Sequence, residues 1–115
     1  MNLVTRDLNQ IRDYLTKNSA PADYALTQNL ATLPGEGCAI LSWQGRKVSM
    51  VCLESREKKD LYLFVINRAD LPSAPANASP QLAQVNKLMT ATWSTPDKTY
   101  ILAGQLDEST LRKYL

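Results

Sequence analysis

The sequence predicts an α+β fold in which a five-stranded, antiparallel, meander-like sheet is flanked by an N-terminal helix and a short C-terminal helix. Three observations predict it. Near the start, apolar residues recur at the spacing of a helix; in the middle, runs of β-forming residues alternate with turn residues; and at the end, two leucines one helical turn apart follow a capping residue. A length of 115 residues matches one domain. We therefore expect a single domain with a helical segment at 1–34, a sheet at 35–104 and a C-terminal helix at 105–115.

The first helix is predicted at residues 4–17, with Thr5 as its N-cap. Its apolar residues recur every three or four positions and therefore share one face: Val4, Leu8, Ile11 and Leu15. A short second helical stretch is predicted at 22–31. Near the other end of the chain Asp107 is expected to cap the last helix, because a carboxylate there accepts hydrogen bonds from the free N–H groups of the first turn.

Five runs rich in β-forming residues are predicted as strands: Cys38–Trp43, Lys47–Glu54, Leu61–Ile66, Leu88–Ser94 and Thr99–Ala103. The third run is apolar throughout, which indicates burial on both faces and hence a central position or cover by helices. The Ala-, Pro- and Ser-rich residues 70–80 are expected to form a mobile loop.

The composition excludes several classes of function. The chain has no histidine, which excludes a Ser-His-Asp triad, a Cys-His pair and an imidazole metal ligand. Its 13 basic and 11 acidic residues are interleaved and give a net charge of +2, without the single-sign stripe that nucleic-acid binding needs. The carboxylates have capping or surface roles. We therefore predict no enzyme, no catalytic residues, no cofactor and no nucleic-acid partner.

The two cysteines lie on the first predicted hairpin, which closes at Gln44-Gly45-Arg46. A three-residue loop there places Cys38 opposite Cys52, Ile40 opposite Met50 and Ser42 opposite Val48, which brings apolar side chains together, so we prefer this register. A two-residue loop instead places Cys38 opposite Val51 and points the two thiols to different faces.

Three roles stay open for the cysteine pair. Free cysteines are among the most buried residues, so two inert core thiols are one role. A cross-strand disulfide between Cys38 and Cys52 is the second, and it needs an oxidising compartment. A copper(I) site is the third, because Met50 lies between the two cysteines in the preferred register and thiolate and thioether ligands suit that soft ion.

The tryptophans are the candidate contact residues for a partner. Trp43 and Trp93 each lie at the end of a predicted strand, next to a turn. Aromatic side chains at such positions pack at the rim of a core or form an exposed contact surface for another protein. We take Trp43 and Trp93, with the strand residues around them, as the candidate partner surface.

Three segments of the sequence resemble one bacterial family. They are Leu33-Pro-Gly-Glu-Gly-Cys38, Asp60-Leu-Tyr-Leu-Phe-Val65, and Thr92-Trp-Ser with the following Thr99-Tyr-Ile-Leu-Ala-Gly-Gln-Leu-Asp107 and Leu111. Over roughly residues 24–115 the layout is similar to the extracytoplasmic C-terminal domains of membrane-anchored anti-sigma factors. In these a short helical segment leads to a β-meander, a Trp-bearing strand turns into a Tyr-x-Leu strand, and a short helix closes the chain.

The resemblance implies a sensor or interaction domain that regulates sigma-factor-dependent transcription in response to stress. It places this domain in the periplasm, as the soluble part of an anchored protein, where a Cys38–Cys52 disulfide would be stable. The sigma factor would be bound by a cytoplasmic segment missing from this chain, so the partner of these residues is another, regulatory or membrane-associated protein. Two alternatives stay open: a thiol- or copper(I)-responsive module, and a small cytosolic interaction domain.

Overall fold

The computed structural model describes residues 1–70 and 79–115, and within them the chain is α+β with a six-stranded antiparallel sheet. In chain order the elements are α1 (Leu8–Lys17), α2 (Gln28–Ala31), β1 (Gly35–Trp43), β2 (Arg46–Glu54), β3 (Asp60–Asn67), a one-turn 3-10 helix (Arg68–Asp70), β4 (Gln81–Val85), β5 (Leu88–Ser94), β6 (Lys98–Gly104) and α3 (Glu108–Arg112). The predicted fold class and both end helices are confirmed. The loop predicted at 70–80 lies, apart from its ends, outside the described residues.

The predicted number of strands is wrong by one. The additional strand is β4, which forms a two-residue turn with β5 at Asn86 and Lys87 and pairs with that strand along its whole length. Its sequence, Gln-Leu-Ala-Gln-Val, has few β-branched or aromatic residues. Four of its five residues are exposed at the edge of the sheet, so no apolar alternation is needed there and the sequence signal is weak.

The strand order β1-β2-β3-β6-β5-β4 makes the sheet two meanders rather than one. The chain leaves β3, crosses to the far edge and returns through β5, so that β6 pairs with β3 in the middle of the sheet. The sequence is consistent with this arrangement, because β3 and β6 carry apolar side chains on both faces whereas β4 is a short strand of mixed polarity. The centre of a sheet is its most buried place, and the edge is its most exposed.

The N-terminal helix is shorter than predicted. It begins at Leu8 because Asp7, rather than Thr5, is its N-cap, and the Asp7 carboxylate accepts a hydrogen bond of 2.8 Å from the backbone N–H of Asn9. The preceding residues pair instead with the edge of the sheet, where Leu3 forms an antiparallel bridge to Cys38.

The other two helices are also short. The second helical stretch is confined to α2, with Thr27 as its cap. For α3 the predicted cap is confirmed, because Asp107 accepts a hydrogen bond of 2.8 Å from the N–H of Thr110.

The three described α-helices all pack on one face of the sheet, which we call the covered face. Its core contains side chains from each helix and from five of the strands: Ile11, Leu15, Leu30, Leu111 and Tyr114 against Cys38, Val51, Leu53, Leu61, Leu63, Val65, Met89, Ala91, Tyr100 and Leu102. Because strand residues alternate between faces, their neighbours lie on the opposite side. We call this the open face, since no described helix covers it.

Within the described residues no helix is long and apolar enough to cross a membrane.

Candidate functional site

The hairpin of β1 and β2 has the register that separates the two cysteines. Trp43 pairs with Arg46 across a two-residue turn, and Cys38 therefore pairs with Val51. The preferred three-residue register is wrong. Gln44 adopts φ +50° and Gly45 φ +75°, the left-handed backbone of the two-residue turn whose twist matches that of paired strands. Gln44 did not indicate this two-residue turn in the sequence, because Asn and Gly are the usual residues at the first position of such a turn.

The cysteines are consequently free thiols on opposite faces of the sheet. Cys38 belongs to the core of the covered face, whereas Cys52 is buried beneath the open face. A disulfide needs Cβ atoms about 3.8 Å apart that point toward each other. The candidate cross-strand disulfide is therefore not formed. Cys38 pairs with Val51, and the side chain of the next residue, Cys52, points to the opposite face because side chains alternate along β2.

The electrostatic surroundings hold both thiols in their protonated form at neutral pH. Burial raises the pKa of Cys38. Burial also raises the pKa of Cys52 to about 11, with further contributions from the negative charges of Glu36 and Asp60. Since the thiolate is the nucleophile and the metal ligand, neither cysteine is activated for chemistry.

The candidate copper(I) set is not brought together. Met50 and Cys52 share the open face, two residues apart on β2, but the Cys38 thiol lies on the other side of the sheet. The three sulfur atoms proposed from the sequence cannot surround one ion, again because the register differs by one residue.

The two tryptophans are separated in the same way. Trp93 lies on the covered face, where its ring stacks on that of Tyr100 with centroids 5.3 Å apart. Trp43 lies on the open face and is 40% exposed. The structure therefore does not join them into one surface: Trp43 lies on the open face, and the half-buried Trp93 packs on the covered face.

Trp43 borders an apolar concavity of about 380 Å³ on the open face. We call it the Trp43 groove, and its apolar lining comes from four adjacent strands: Leu41, Trp43, Val48, Phe64, Ile66 and Ile101. The sequence contained a signal for this groove, because the continuous apolar run of β3 places apolar side chains on both faces of the sheet. The run predicted burial on both faces, through a central position or cover by helices; β3 is central, and the described α-helices cover only one of its faces.

A second feature of the open face is a cluster of carboxylates, which we call the acidic end and define as Glu36, Glu54 and Asp60. They lie where β1 begins, β2 ends and β3 begins. Glu54 is 3.5 Å from Arg6 and 3.7 Å from Lys58. In the described part of the chain neither of the other two carboxylates forms an ion pair.

Glu36 is the strongly perturbed acid of this cluster. Burial, a hydrogen bond shared with Asp60 and the negative charges of Asp60 and Glu54 raise the pKa of Glu36 to about 7, against the opposing charge of Arg6. Two nearby carboxylates share one proton more readily than both ionise. Sequence reasoning missed this site, because the three acids are 18 and 6 residues apart and only the sheet brings them together.

A buried lysine has a structural role near the other end of the sheet. The Lys98 ammonium lies 3.0 Å from Asp23 and 3.1 Å from Asp97. Burial lowers the pKa of Lys98, but the hydrogen bonds with these two carboxylates outweigh it, so that the pKa is raised overall. The charged lysine therefore ties the segment after α1 to β6.

Comparisons of this chain with models of known protein families, with curated proteins and with solved structures find no match.

Proposed function

We propose that this chain is a non-enzymatic interaction domain that binds another protein chain through the Trp43 groove. The single observation that carries the proposal is the groove itself: an apolar concavity on a sheet face that no described helix covers. Exposed apolar patches of this kind mark binding surfaces, because leaving them in water is unfavourable. Leu41 and Trp43 are each about 40% exposed there.

The open face itself supplies an internal comparison. On β5 the residues of this face are Thr90, Thr92 and Ser94, which are small and polar and expose no wholly apolar surface. On β1 and β3 the same face carries Leu41, Trp43 and Phe64. A sheet with one solvated face does not need these side chains, so their presence favours a partner that removes them from water.

We further propose that the domain is the extracytoplasmic part of a membrane-anchored anti-sigma factor. The support for this comes from the sequence segments that resemble that family, above all those from Trp93 to Leu111. On this proposal the groove contacts a regulatory protein or another subunit, and it does not contact the sigma factor. A small cytosolic interaction domain would use the same groove, and a hydrophobic stretch of about 20 residues encoded upstream of Met1 would favour the anchored form.

The experiment is a transcription reporter in the bacterium that carries the gene. Leu41→Asp places a charge in the groove at an exposed position, whereas Val85→Asp makes a similar change at a 53% exposed residue on the opposite edge strand. We expect Leu41→Asp to change sigma-factor-dependent transcription as strongly as deletion of the gene does, and Val85→Asp to leave it at the parental level. Unaltered transcription with a folded Leu41→Asp protein would contradict the proposed function.

A second measurement tests the proposed division of roles. The purified chain is expected not to bind the purified sigma factor, because the family resemblance implies that a segment outside this chain makes that contact. Tight binding to the sigma factor would show that the division is wrong.

A further inference from the structure

We propose that the acidic end of the open face binds one copper(I) ion through the sulfur atoms of Met1, Met50 and Cys52. This site shares no residue with the Trp43 groove and does not depend on the proposed function. The placement of three sulfur-bearing side chains in one concavity and the charge of its walls carry the argument.

The three side chains line a single concavity of about 430 Å³. Met50 and Cys52 are two residues apart on β2 and therefore point to the same face of the sheet. Cys52 pairs across the sheet with Gly37, and the Met1 sulfur lies 3.0 Å from the point that a Cβ on Gly37 would occupy. The Met1 thioether thus lies next to the residue that faces Cys52.

This ligand set differs from the one proposed from the sequence, in which Cys38 takes the place of Met1. The fold makes the exchange. Side-chain alternation on β1 and β2 removes the Cys38 thiol to the covered face, and the antiparallel bridge between Leu3 and Cys38 lays the N-terminal residues along the edge of β1. Met1 is far from Cys52 in the sequence, so no spacing indicates that they share a site.

Cys52 is the fixed ligand of the proposed site. Its side chain is only 1% exposed, its thiol is free, and in the described part of the chain that thiol has no hydrogen-bond partner. The two methionines are less constrained, since Met1 is 62% exposed and Met50 is half-buried. A methionine side chain has three rotatable bonds, so both thioethers can turn toward an ion that is bound at Cys52.

The donor set selects a soft ion. Thiolate and thioether sulfur are ligands that copper(I) prefers, whereas calcium and magnesium take oxygen ligands. Among the residues that the structure describes, no three cysteine, aspartate or glutamate side chains are placed to hold a metal ion together. The carboxylates of the acidic end therefore contribute charge to the site, and the sulfur atoms contribute the bonds.

That charge favours a cation. Glu36 and Asp60 line the same concavity, and their negative charges act on the Cys52 thiol, because both contribute to its raised pKa. The N-terminal ammonium has a smaller, opposite effect on the same thiol, which shows how close Met1 lies to it. The two cations that contact Glu54 lie outside the lining of the concavity.

Binding replaces a proton by the ion. In the metal-free chain the Cys52 thiol is protonated at neutral pH, with a pKa of about 11. Copper(I) forms a bond to the sulfur, the S–H bond breaks, and the proton passes to the solvent, while no electron is transferred. The two thioethers add lone pairs and lose no proton. A single ion needs much less room than a thiol reagent, so this binding agrees with a thiol that such a reagent does not reach.

The first test is a competition for copper(I) between the purified chain and a chromogenic copper(I) chelator in anaerobic, reducing buffer. We expect the chain to take one ion per molecule. Cys52→Ala is expected to raise the dissociation constant at least about a hundredfold, and Met50→Leu about tenfold. Cys38→Ala and Met89→Leu change the same residue types on the covered face and should leave the dissociation constant unchanged. A chain that takes no copper(I), or a control that weakens binding as much as its counterpart, overturns the proposal.

The second test counts the sulfur ligands by X-ray absorption at the copper edge. We expect three sulfur atoms around the ion in the parent and two in Met50→Leu. One sulfur atom in the parent would mean a chance contact with a single thiol and would overturn the site. Urea unfolding followed by tryptophan fluorescence shows which variants are folded. If Cys52→Ala is not, the volume-conserving Met50→Leu decides between the outcomes.

Discussion

Glu36 makes the stability of this protein depend on pH in a direction opposite to that of most carboxylates. In the unfolded chain a glutamate titrates near 4.5, whereas in the folded protein burial and the nearby Asp60 raise the pKa of Glu36 to about 7. Below pH 4.5 both states carry the proton. As the pH rises from 4.5 to about 7 the unfolded state releases the proton first, so the free energy of unfolding falls through this window and levels off above it.

The magnitude follows from the two pKa values. The difference between 4.5 and about 7 corresponds to roughly 3 kcal/mol if the side chain were fully shielded. Glu36 is partly exposed, and screening by solvent reduces this to about 1–2 kcal/mol. Glu36→Gln removes the ionisation, so the variant is expected to exceed the parent in stability by about 1–2 kcal/mol at pH 8 and by much less at pH 4.

Urea unfolding followed by tryptophan fluorescence at both pH values measures this difference. Glu57→Gln is the control of opposite sign, because the hydrogen bond from the Tyr114 hydroxyl lowers the pKa of Glu57. Glu57 therefore adds stability above its unfolded pKa that is lost as the pH falls, and its substitution is expected to destabilise the protein more at pH 8 than at pH 4. A stability change for Glu36→Gln that is equal at the two pH values would refute the reasoning.

Three further predictions concern backbone, burial and thiol reactivity. In urea unfolding, Gly37→Ala is expected to destabilise the fold by more than about 2 kcal/mol, because a Cβ there would lie 2.2 Å from a backbone oxygen of the N-terminal segment. Gly45→Ala, whose Cβ would lie in open space at φ +75°, is expected to cost only about 1 kcal/mol by the same measurement. Lys98→Ala is expected to cost about 2 kcal/mol by the same measurement, since it removes two charged hydrogen bonds. A thiol reagent is expected to modify neither Cys38 nor Cys52 in the native protein and both after unfolding, with or without reductant; one reacting thiol in the native state would contradict the buried placement.

The sequence determined the central elements of the fold more clearly than its edges. The apolar runs of β3 and β6 and the Asp107 cap are local signals, and each led to a correct element. Residues 81–85 carried no such signal, because an exposed edge strand is held by backbone hydrogen bonds that most sequences can make. The same limit explains the order of the strands, which depends on contacts between distant residues.

The candidate site depended on a single residue of register. Gln44 in a left-handed conformation gives the two-residue turn, and with it every side chain of β1 meets a different partner on β2. This one difference in register places Cys38 and Cys52 on opposite faces, so that Trp43, and not the thiol pair, belongs to the candidate site. The acidic end was beyond sequence reasoning for another reason, since Glu36 and Asp60 approach each other only after three strands have paired.

The open face holds two features that are unfavourable in an isolated chain, and they lie on the same surface. The Trp43 groove exposes apolar side chains to water, and at the acidic end burial and the neighbouring carboxylates raise the pKa of Glu36 to about 7. A partner chain docked on the groove would remove these apolar side chains from water, which is the physical basis of the proposed function.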